Sequence, residues 1–357
     1  MTMNIDAPKA NPQHREINRI ARLVGDLFAI DAYYLHGNQL VLNLRYRYVH
    51  DKSLSLIKDR LELAGYTFTL SPAEETVLLT IDPKRRLRIP WLNVLLFFVT
   101  VASVYFVPAY MFGWDLSTGA GIEFTIALMS ILVVHEMGHF IAGRRRDVVT
   151  SWPYFIPAPN IIGTFGAVIR SKTPFWNRRD LLEVGAAGPV AGWIVAIGWL
   201  VYGLSKSVQV PEIADQSGAL LFGHSLITQA LSALIQGQPD PGYMFTFPEA
   251  AFAGWVGLLV TAINMLPIGQ LDGGHILYGL FRRYQRPLGM IAMVGLIALG
   301  FQSYMWWLFA AMGLIFGVAH PPTINDAVTP STSSRVLGWI ALIILIVSFT
   351  PVPIRPL

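Results

Sequence analysis

The stretch Ile126-Ala-Leu-Met-Ser-Ile-Leu-Val-Val-His135-Glu136-Met-Gly-His139-Phe-Ile-Ala142 sets two histidines and a glutamate inside an apolar run. Histidines four residues apart project from one face of a helix and can bind one zinc ion, and a glutamate between them can deprotonate a zinc-bound water. Ionisable side chains are costly at bilayer depth and usually mark function there. The stretch therefore predicts a membrane helix that carries a metal site, and its chemistry favours zinc-dependent hydrolysis.

The composition is typical of a protein that crosses a lipid bilayer several times, because 54% of the 357 residues are hydrophobic and only 13% are charged. The net charge of +4 is small. The basic residues stand at the ends of apolar runs, so they indicate membrane topology and no nucleic-acid partner. The chain has no cysteine. Disulfides and thiolate ligands are therefore excluded, and a metal must be held by His, Asp or Glu.

Residues 1–88 are predicted to form a small soluble α+β domain. Apolar residues at helical spacing are followed by two strand-like runs, Phe28–Leu35 and Gln39–Arg47, with a hairpin signal at His36-Gly37-Asn38 between them. A second helix-like segment and two more strand-like runs follow. This pattern is a weak αββ repeat, and it ends at the basic segment Pro83–Arg88.

The rest of the chain is predicted to be an α-helical polytopic membrane protein with about six to seven transmembrane helices. Residues 89–286 would form the core that carries the metal site, and residues 287–357 would add C-terminal transmembrane segments. The fifth and sixth apolar runs are short and could be a pair of half-helices, which is why six spans stay open. The predicted spans lie near Ile89–Phe112, Ile122–Gly143, Leu182–Leu204, Ala250–Leu266, Leu288–Phe301, Met305–Val318 and Val336–Phe349.

Basic residues predict the orientation of these spans. Four basic clusters between residues 84 and 286 fall on one side of the membrane, whereas the opposite loop, Ser205–Glu249, has one lysine and four acidic residues. Positively charged loops stay in the cytoplasm. The sequence therefore predicts a multi-pass protein of the cell inner (plasma) membrane. Its N-terminal domain would be cytoplasmic, and its metal site would lie toward the cytoplasmic end of the second span.

Two imidazoles leave a catalytic zinc short of one protein ligand. The best candidate is Asp272, which follows the fourth predicted span at the depth expected for His139. Pro267, Gly269 and the Gly273-Gly274 pair interrupt the helix there, and such irregular backbone is tolerated at membrane depth where protein or water surrounds it. A plain helix–loop–helix turn with a solvated aspartate is the alternative.

Four sequence features resemble the site-2 protease family of intramembrane zinc metalloproteases, over roughly residues 90–285. They are the His-Glu-x-x-His motif, a Leu-Asp-Gly-Gly motif on a later segment, an asparagine eight residues before that aspartate, and a stretch of small residues on the third span. A Gly-Thr-Phe-Gly segment and the N-terminal domain most resemble the bacterial and plastid subgroup without a PDZ domain. The residues are His135–His139, Leu271–Gly274, Asn264, Gly185–Gly192 and Gly163–Gly166.

The resemblance implies a role for each residue of the site. His135, His139 and Asp272 would hold Zn²⁺, and Glu136 would be the catalytic base. Asn264 would contact the substrate peptide or the developing oxyanion. His275 is close in sequence to the aspartate, and we expect it to be structural or to support the site; a ligand role is the alternative.

The resemblance also implies how substrates bind. The partners would be transmembrane protein substrates, which must unwind locally before water reaches a peptide bond. Gly163, Thr164, Phe165 and Gly166 would belong to a re-entrant β-hairpin whose edge pairs with the extended substrate; the alternative is an ordinary cytoplasmic loop. The small residues of the third span are expected to permit close helix packing. A regulatory partner of the N-terminal domain is a further expectation.

Two other functions are weighed against regulated intramembrane proteolysis. A membrane zinc peptidase of the CAAX-processing kind would take a third ligand, Glu or His, from another helix, and would leave the Asp272-Gly-Gly motif without a role. A non-catalytic scaffold or transporter would suit broken helices and small-residue packing, but it would not require Glu136 between two histidines. The favoured hypothesis is a zinc metalloendopeptidase that cleaves transmembrane substrates near their cytoplasmic ends.

Overall fold

The computed structural model describes residues 12–356, apart from residues 37–38, 48–49, 74, 86–89, 116, 118, 172 and 213–219. Gly37 and Asn38 of the predicted turn, the basic residues Arg86 and Arg88, and part of the loop Ser205–Glu249 lie outside the described residues. The chain divides into two compact units. The first consists of residues 1–91, 143–152 and 170–176, and the second consists of residues 92–142, 153–169 and 177–357.

The first unit contains an antiparallel sheet of four strands in the order β1–β2–β4–β3, with two helices that share its core. Alternating apolar residues of β2 and β4 turn inward, and they meet the apolar face of each helix. The buried Arg60 forms two hydrogen bonds with the Asp26 carboxylate, at 2.6 and 2.8 Å. The elements are α1 (Pro12–Val24), β1 (Phe28–His36), β2 (Gln39–Tyr46), α2 (His50–Leu63), β3 (Tyr66–Pro72) and β4 (Thr76–Arg85).

The second unit is mostly helical. Within the described residues, α3, α4 and α5 are long and apolar enough to cross a membrane, and several shorter apolar helices follow them. Two of the longer spans carry an internal proline, Pro108 and Pro189. The helices are α3 (Trp91–Phe112), α4 (Ala120–Arg145), α5 (Arg178–Ser205), α6 (Leu226–Ile235), α7 (Glu249–Asn264), α8 (Asp272–Phe281), α9 (Gln285–Gly300), α10 (Met305–Phe316) and α11 (Thr332–Ser348).

The predicted later spans correspond to helices that are shorter than a bilayer crossing. Helices α7, α9, α10 and α11 have 16, 16, 12 and 17 residues, whereas a perpendicular crossing requires about 20. The number of six to seven transmembrane helices therefore stays a prediction. Three candidate spans, shorter apolar helices and small sheets are what the described residues contain.

Helix α5 is the central element of the second unit, because it contacts α6, α7, α8 and α11. Its first turn is capped by Asn177, whose side chain accepts a hydrogen bond from the backbone N–H of Asp180 at 2.8 Å. Glycines permit backbone contact with α7: a Cβ atom on Gly203 would lie 2.1 Å from the backbone nitrogen of Ala251. This packing fits the small-residue interfaces of membrane helices.

Short strands complete the second unit. β5 (Tyr154–Pro157) and β6 (Thr164–Val168) form an antiparallel hairpin, in which Phe155 is opposite Ala167. The hairpin rests on α3, because a Cβ atom on Gly163 would lie 2.6 Å from the Ser103 carbonyl oxygen. The remaining strands pair β7 with β9 and β8 with β10. They are β7 (Gln209–Pro211), β8 (Leu220–Phe222), β9 (Tyr243–Phe245) and β10 (Ile354–Pro356).

Candidate metal centre

Two helices supply the predicted metal ligands. His135 and His139 lie one turn apart on α4, and both are buried, with exposed fractions of 4% and 9%. Asp272 is the first residue of α8, a position at which a carboxylate interacts favourably with the helix dipole. Its side chain is mostly buried. The fold therefore brings together three ligand-type residues from segments more than 130 positions apart.

The three ligand atoms form a nearly equilateral triangle. The Nε2 atoms of His135 and His139 lie 3.2 Å apart, and the Oδ2 atom of Asp272 lies 3.3 Å from the first and 3.2 Å from the second. Ligands at about 2.05 Å from a tetrahedral zinc are separated by about 3.3 Å. Two neutral imidazoles, one carboxylate and one remaining position are also the donor set of a catalytic zinc site. The residues therefore fit a zinc ion.

A backbone carbonyl orients one of the imidazoles. The Nδ1 atom of His139 lies 2.8 Å from the Val184 carbonyl oxygen on α5. A carbonyl only accepts, so Nδ1 carries the proton and Nε2 keeps its lone pair for a metal. No sequence pattern indicates this partner, because any residue supplies a backbone carbonyl. The position at which α5 crosses α4 determines which carbonyl lies beside His139.

Glycines of α5 leave room for the histidine rings. A Cβ atom on Gly188 would lie 2.1 Å from the Nε2 atom of His139, and a Cβ atom on Gly192 would lie 3.0 Å from the Nδ1 atom of His135. Both distances are too short for a side chain to be added without displacing the rings. The predicted close packing of these small residues occurs directly against the two histidines.

The turn before Asp272 also requires glycine. Gly269 has a φ angle of +53°, which favours glycine, and a Cβ atom there would lie 2.4 Å from the Gly317 carbonyl oxygen. Its backbone N–H donates to the Val318 carbonyl at 2.9 Å. The loop between α7 and α8 is thus fixed against the segment that follows α10.

The other predicted site residues lie on three elements. Glu136 is buried on α4 between the two histidines, with an exposed fraction of 5%. Asn264 is the last residue of α7 and is partly buried. In the hairpin, Thr164 is buried, whereas 71% of Phe165 is exposed. Only the two histidines and Asp272 form a cluster of ligand atoms among the described residues.

His275 does not join that cluster. Its Nδ1 atom lies 2.7 Å from the Nε2 atom of His320, a residue that the sequence did not indicate. A Cβ atom on Gly185 would lie 2.7 Å from the Cβ atom of His275, so α8 and α5 are in close contact at this level. The structure thus assigns His275 to the packing around Asp272, and it adds a second histidine, 45 residues later.

A protein-family model and several known proteins match this chain. Residues 123–307 match the model of Peptidase family M50. The protein named "Probable zinc metalloprotease EGY1, chloroplastic" from Arabidopsis thaliana is 32% identical over 241 residues, which cover 65% of this chain and 43% of that protein.

Two further relatives have the name "Probable zinc metalloprotease EGY2, chloroplastic". The one from Arabidopsis thaliana is 29% identical over 65% of this chain and 42% of its own length, and the one from Oryza sativa subsp. indica is 29% identical over 63% and 41%. The chain thus spans less than half the length of these relatives. No solved structure matches it. The family model covers more than half of the chain and includes all three clustered ligand residues, so the chain belongs to Peptidase family M50, the site-2 protease family.

Proposed function

We propose that this protein is a zinc metalloendopeptidase that hydrolyses peptide bonds of transmembrane substrates within the membrane, near its cytoplasmic side. The observation that carries the proposal is the triangle of His135, His139 and Asp272 beside a buried Glu136. Membership of a peptidase family and the names of the relatives support it. These three residues would hold a zinc ion, which would supply Lewis-acid polarisation of the scissile carbonyl and make an attacking water more acidic.

Glu136 acts as the proton carrier of the reaction. Its carboxylate is adjacent to His135 in sequence and is buried on the ligand-bearing helix, so it is not exposed to bulk water. In this proposal a carboxylate oxygen accepts the proton of the attacking water and later donates it to the leaving amine. Asn264, at the end of α7, contacts the substrate peptide or the developing oxyanion through its amide N–H.

The hairpin of β5 and β6 presents the substrate. It is a sheet of two strands among the described residues, so each strand has one edge without a strand partner. The exposed side chains of Phe165 and Val168 give the hairpin apolar surface that suits an unwound transmembrane segment. Pairing along the edge would hold the substrate extended, which a peptide bond needs before it can be attacked.

The protein is proposed to reside in the cell inner (plasma) membrane, with its N-terminal domain in the cytoplasm. Residues 1–88 would be the cytoplasmic domain, which takes part in regulation or recruits a regulatory partner. Residues 89–286 would be the proteolytic core, and residues 287–357 the C-terminal membrane segments. The basic flanks of the spans support this orientation.

The position of Asp272 argues against the CAAX-processing alternative, which takes Glu or His as its third ligand. The buried Glu136 argues against a scaffold or transporter, because neither needs a base beside a metal. The deciding test compares the wild-type protein with Glu136→Gln, using purified protein and a model transmembrane substrate. We expect full zinc content and a loss of cleavage by a factor of about 10² to 10⁴. Near-normal cleavage by Glu136→Gln would exclude the role as base.

A further inference from the structure

The segment between α10 and α11 is hydrogen-bonded to the turn that precedes Asp272. We call residues 317–327 the C-terminal strap. The strap accepts a hydrogen bond from Gly269 at the Val318 carbonyl. Gln285, the first residue of α9, connects the strap to the same turn: its Nε2 atom lies 2.9 Å from the Val318 oxygen and 3.3 Å from the Pro267 oxygen.

Gln285 also holds the backbone of His320. Its Oε1 atom accepts the His320 backbone N–H at 2.9 Å, and its side chain is almost completely buried, with an exposed fraction of 1%. One buried amide therefore makes contacts with both the strap and the turn. A buried amide whose donor and acceptor are both satisfied fixes the backbones that it joins.

The imidazoles of the strap and of α8 have defined tautomers. The Nδ1 atom of His320 lies 2.5 Å from the Pro321 carbonyl, which can only accept, so Nδ1 carries a proton. Burial lowers the pKa of His320 to about 4, so the ring is neutral at neutral pH and its Nε2 accepts. The Nδ1–H of His275 must then donate to His320 across the 2.7 Å contact. Because this series ends at a carbonyl, it orients the rings and does not conduct protons.

The far end of the strap is anchored to the same helix. The Asp326 carboxylate accepts a hydrogen bond from the Tyr278 hydroxyl at 2.8 Å and pairs with Arg282 at 2.9 Å. Burial by itself would raise the pKa of Asp326. These contacts and the hydrogen bonds from Thr323 outweigh burial and lower the pKa, so the carboxylate stays ionised. His275 and Tyr278 lie three residues apart on one face of α8, and Arg282 directly follows the end of this helix. The strap therefore binds one face of α8, the helix that begins with Asp272.

We propose that His320 is a positioning residue for the zinc site, and that through His275 it fixes the rotation of α8 and thereby the place of the Asp272 carboxylate. The strap lies beyond residue 307, where the match to the family model ends. The proposal concerns the metal centre alone, and it holds whatever substrate the enzyme cleaves.

Two variants of similar size separate this role from a merely structural one. His320→Gln places an acceptor oxygen near the former Nε2 position and keeps the contact with His275, but it loses the contact with the Pro321 carbonyl. His320→Asn places a donor near the former Nδ1 position and keeps the Pro321 contact, but it does not reach His275. If His320 acts through His275, the asparagine variant should lose its zinc faster than the glutamine variant. If His320 only shapes the strap through its contact with Pro321, the glutamine variant should lose its zinc faster.

The measurement is the rate at which a chelator removes zinc from the purified, zinc-loaded full chain. We expect His320→Asn to lose zinc about 10- to 100-fold faster than wild type, the usual effect of losing a residue that orients a ligand, and His320→Gln to stay within about threefold. The visible absorption of the Co²⁺-substituted protein should change in the asparagine variant only. His224→Asn, which replaces an exposed histidine outside the strap, is the control and should match wild type.

A double-variant cycle tests whether His275 transmits the effect. His275→Leu should accelerate zinc loss to a similar extent, and adding His320→Asn should change it little further, because the same contact is already absent. Equal zinc retention by the two His320 variants, greater loss in His320→Gln, or additive effects in the cycle would overturn the proposal. Failure of both His320 variants to give folded protein would also overturn it, since His320 would then be needed for folding.

Discussion

The metal centre and the β5–β6 hairpin, which is proposed to present the substrate, differ in how much of their side-chain surface is accessible. His135, Glu136 and His139 are buried, and glycines of α5 bring its backbone against the rings. The hairpin exposes most of Phe165 and nearly half of Val168. A metal site needs fixed ligands, whereas a site that receives a substrate needs free backbone and apolar surface. The comparison predicts that substitutions in the centre change zinc binding, and that substitutions in the hairpin change cleavage alone.

The largest effect is expected from removing a ligand. His135→Ala, His139→Ala and Asp272→Ala should each bind far less than one zinc per chain and lose cleavage, because two remaining ligands do not make a stable site. His275→Ala should still bind one zinc when the metal is supplied in excess, since its imidazole bonds to His320. Metal analysis of the purified proteins is the measurement. Full zinc in Asp272→Ala would exclude it as the third ligand.

The second largest effect is expected from adding one methyl group to a glycine of α5 that packs against the metal centre. Gly188→Ala would place a Cβ atom 2.1 Å from the Nε2 atom of His139, whereas Gly198→Ala, on the same helix, meets no atom within 4 Å. We expect Gly188→Ala to destabilise the centre by about 1–3 kcal/mol and to weaken zinc binding. Gly198→Ala should behave as wild type in zinc titration and thermal unfolding. Equal behaviour of the two variants would refute the contact with His139.

A smaller effect, confined to cleavage, is expected in the hairpin. Proline removes a backbone N–H, and one lost hydrogen bond is worth about 0.5–1.5 kcal/mol. Phe165→Pro or Ala167→Pro should therefore lower cleavage of a transmembrane substrate about two- to tenfold while zinc content stays at one per chain. Met244→Pro makes the same change in the two-stranded β7–β9 sheet and should have no such effect.

Crosslinking tests the same prediction directly, because the chain has no cysteine of its own. Single cysteines introduced at positions 164–168 should crosslink to a cysteine near the cleavage site of the substrate. If crosslinks form around His135 and Asp272 but not at these positions, the hairpin does not present the substrate.

The smallest effect on the metal centre is expected from the N-terminal domain. All residues of the proposed centre follow residue 130, so removal of residues 1–80 should leave one zinc per chain and cleavage of a non-native substrate. Recognition or control of the natural substrate should change.

Protease protection of a tagged N-terminus in oriented vesicles tests the predicted cytoplasmic location. A tag on the outer side would reverse the topology, and loss of the folded membrane core would make the domain a folding aid.

Sequence patterns predicted much of the fold because they reflect local preferences. The strand-like runs Phe28–Leu35 and Gln39–Arg47 predict strands where the structure has β1 and β2, and the apolar run around His135 predicts the helix that is α4. Span length was harder to predict. Apolar composition extends past the ends of α7 and α10, where Pro267 and Gly317 follow within three residues of the helix ends. Composition alone does not show where a helix ends, so it does not determine the number of transmembrane spans.

Spacing in the sequence determined the chemistry of this protein: two histidines one helical turn apart, a glutamate between them, and an Asp-Gly-Gly motif after a helix-breaking turn. These features are local, so they can be read without coordinates. Only the tertiary structure decided which atoms orient them. The Val184 carbonyl that fixes His139 and the His320 imidazole that meets His275 are each 45 residues from their partner. A backbone carbonyl and a lone histidine have no distinctive pattern in a sequence, because their role depends on where helix packing places them.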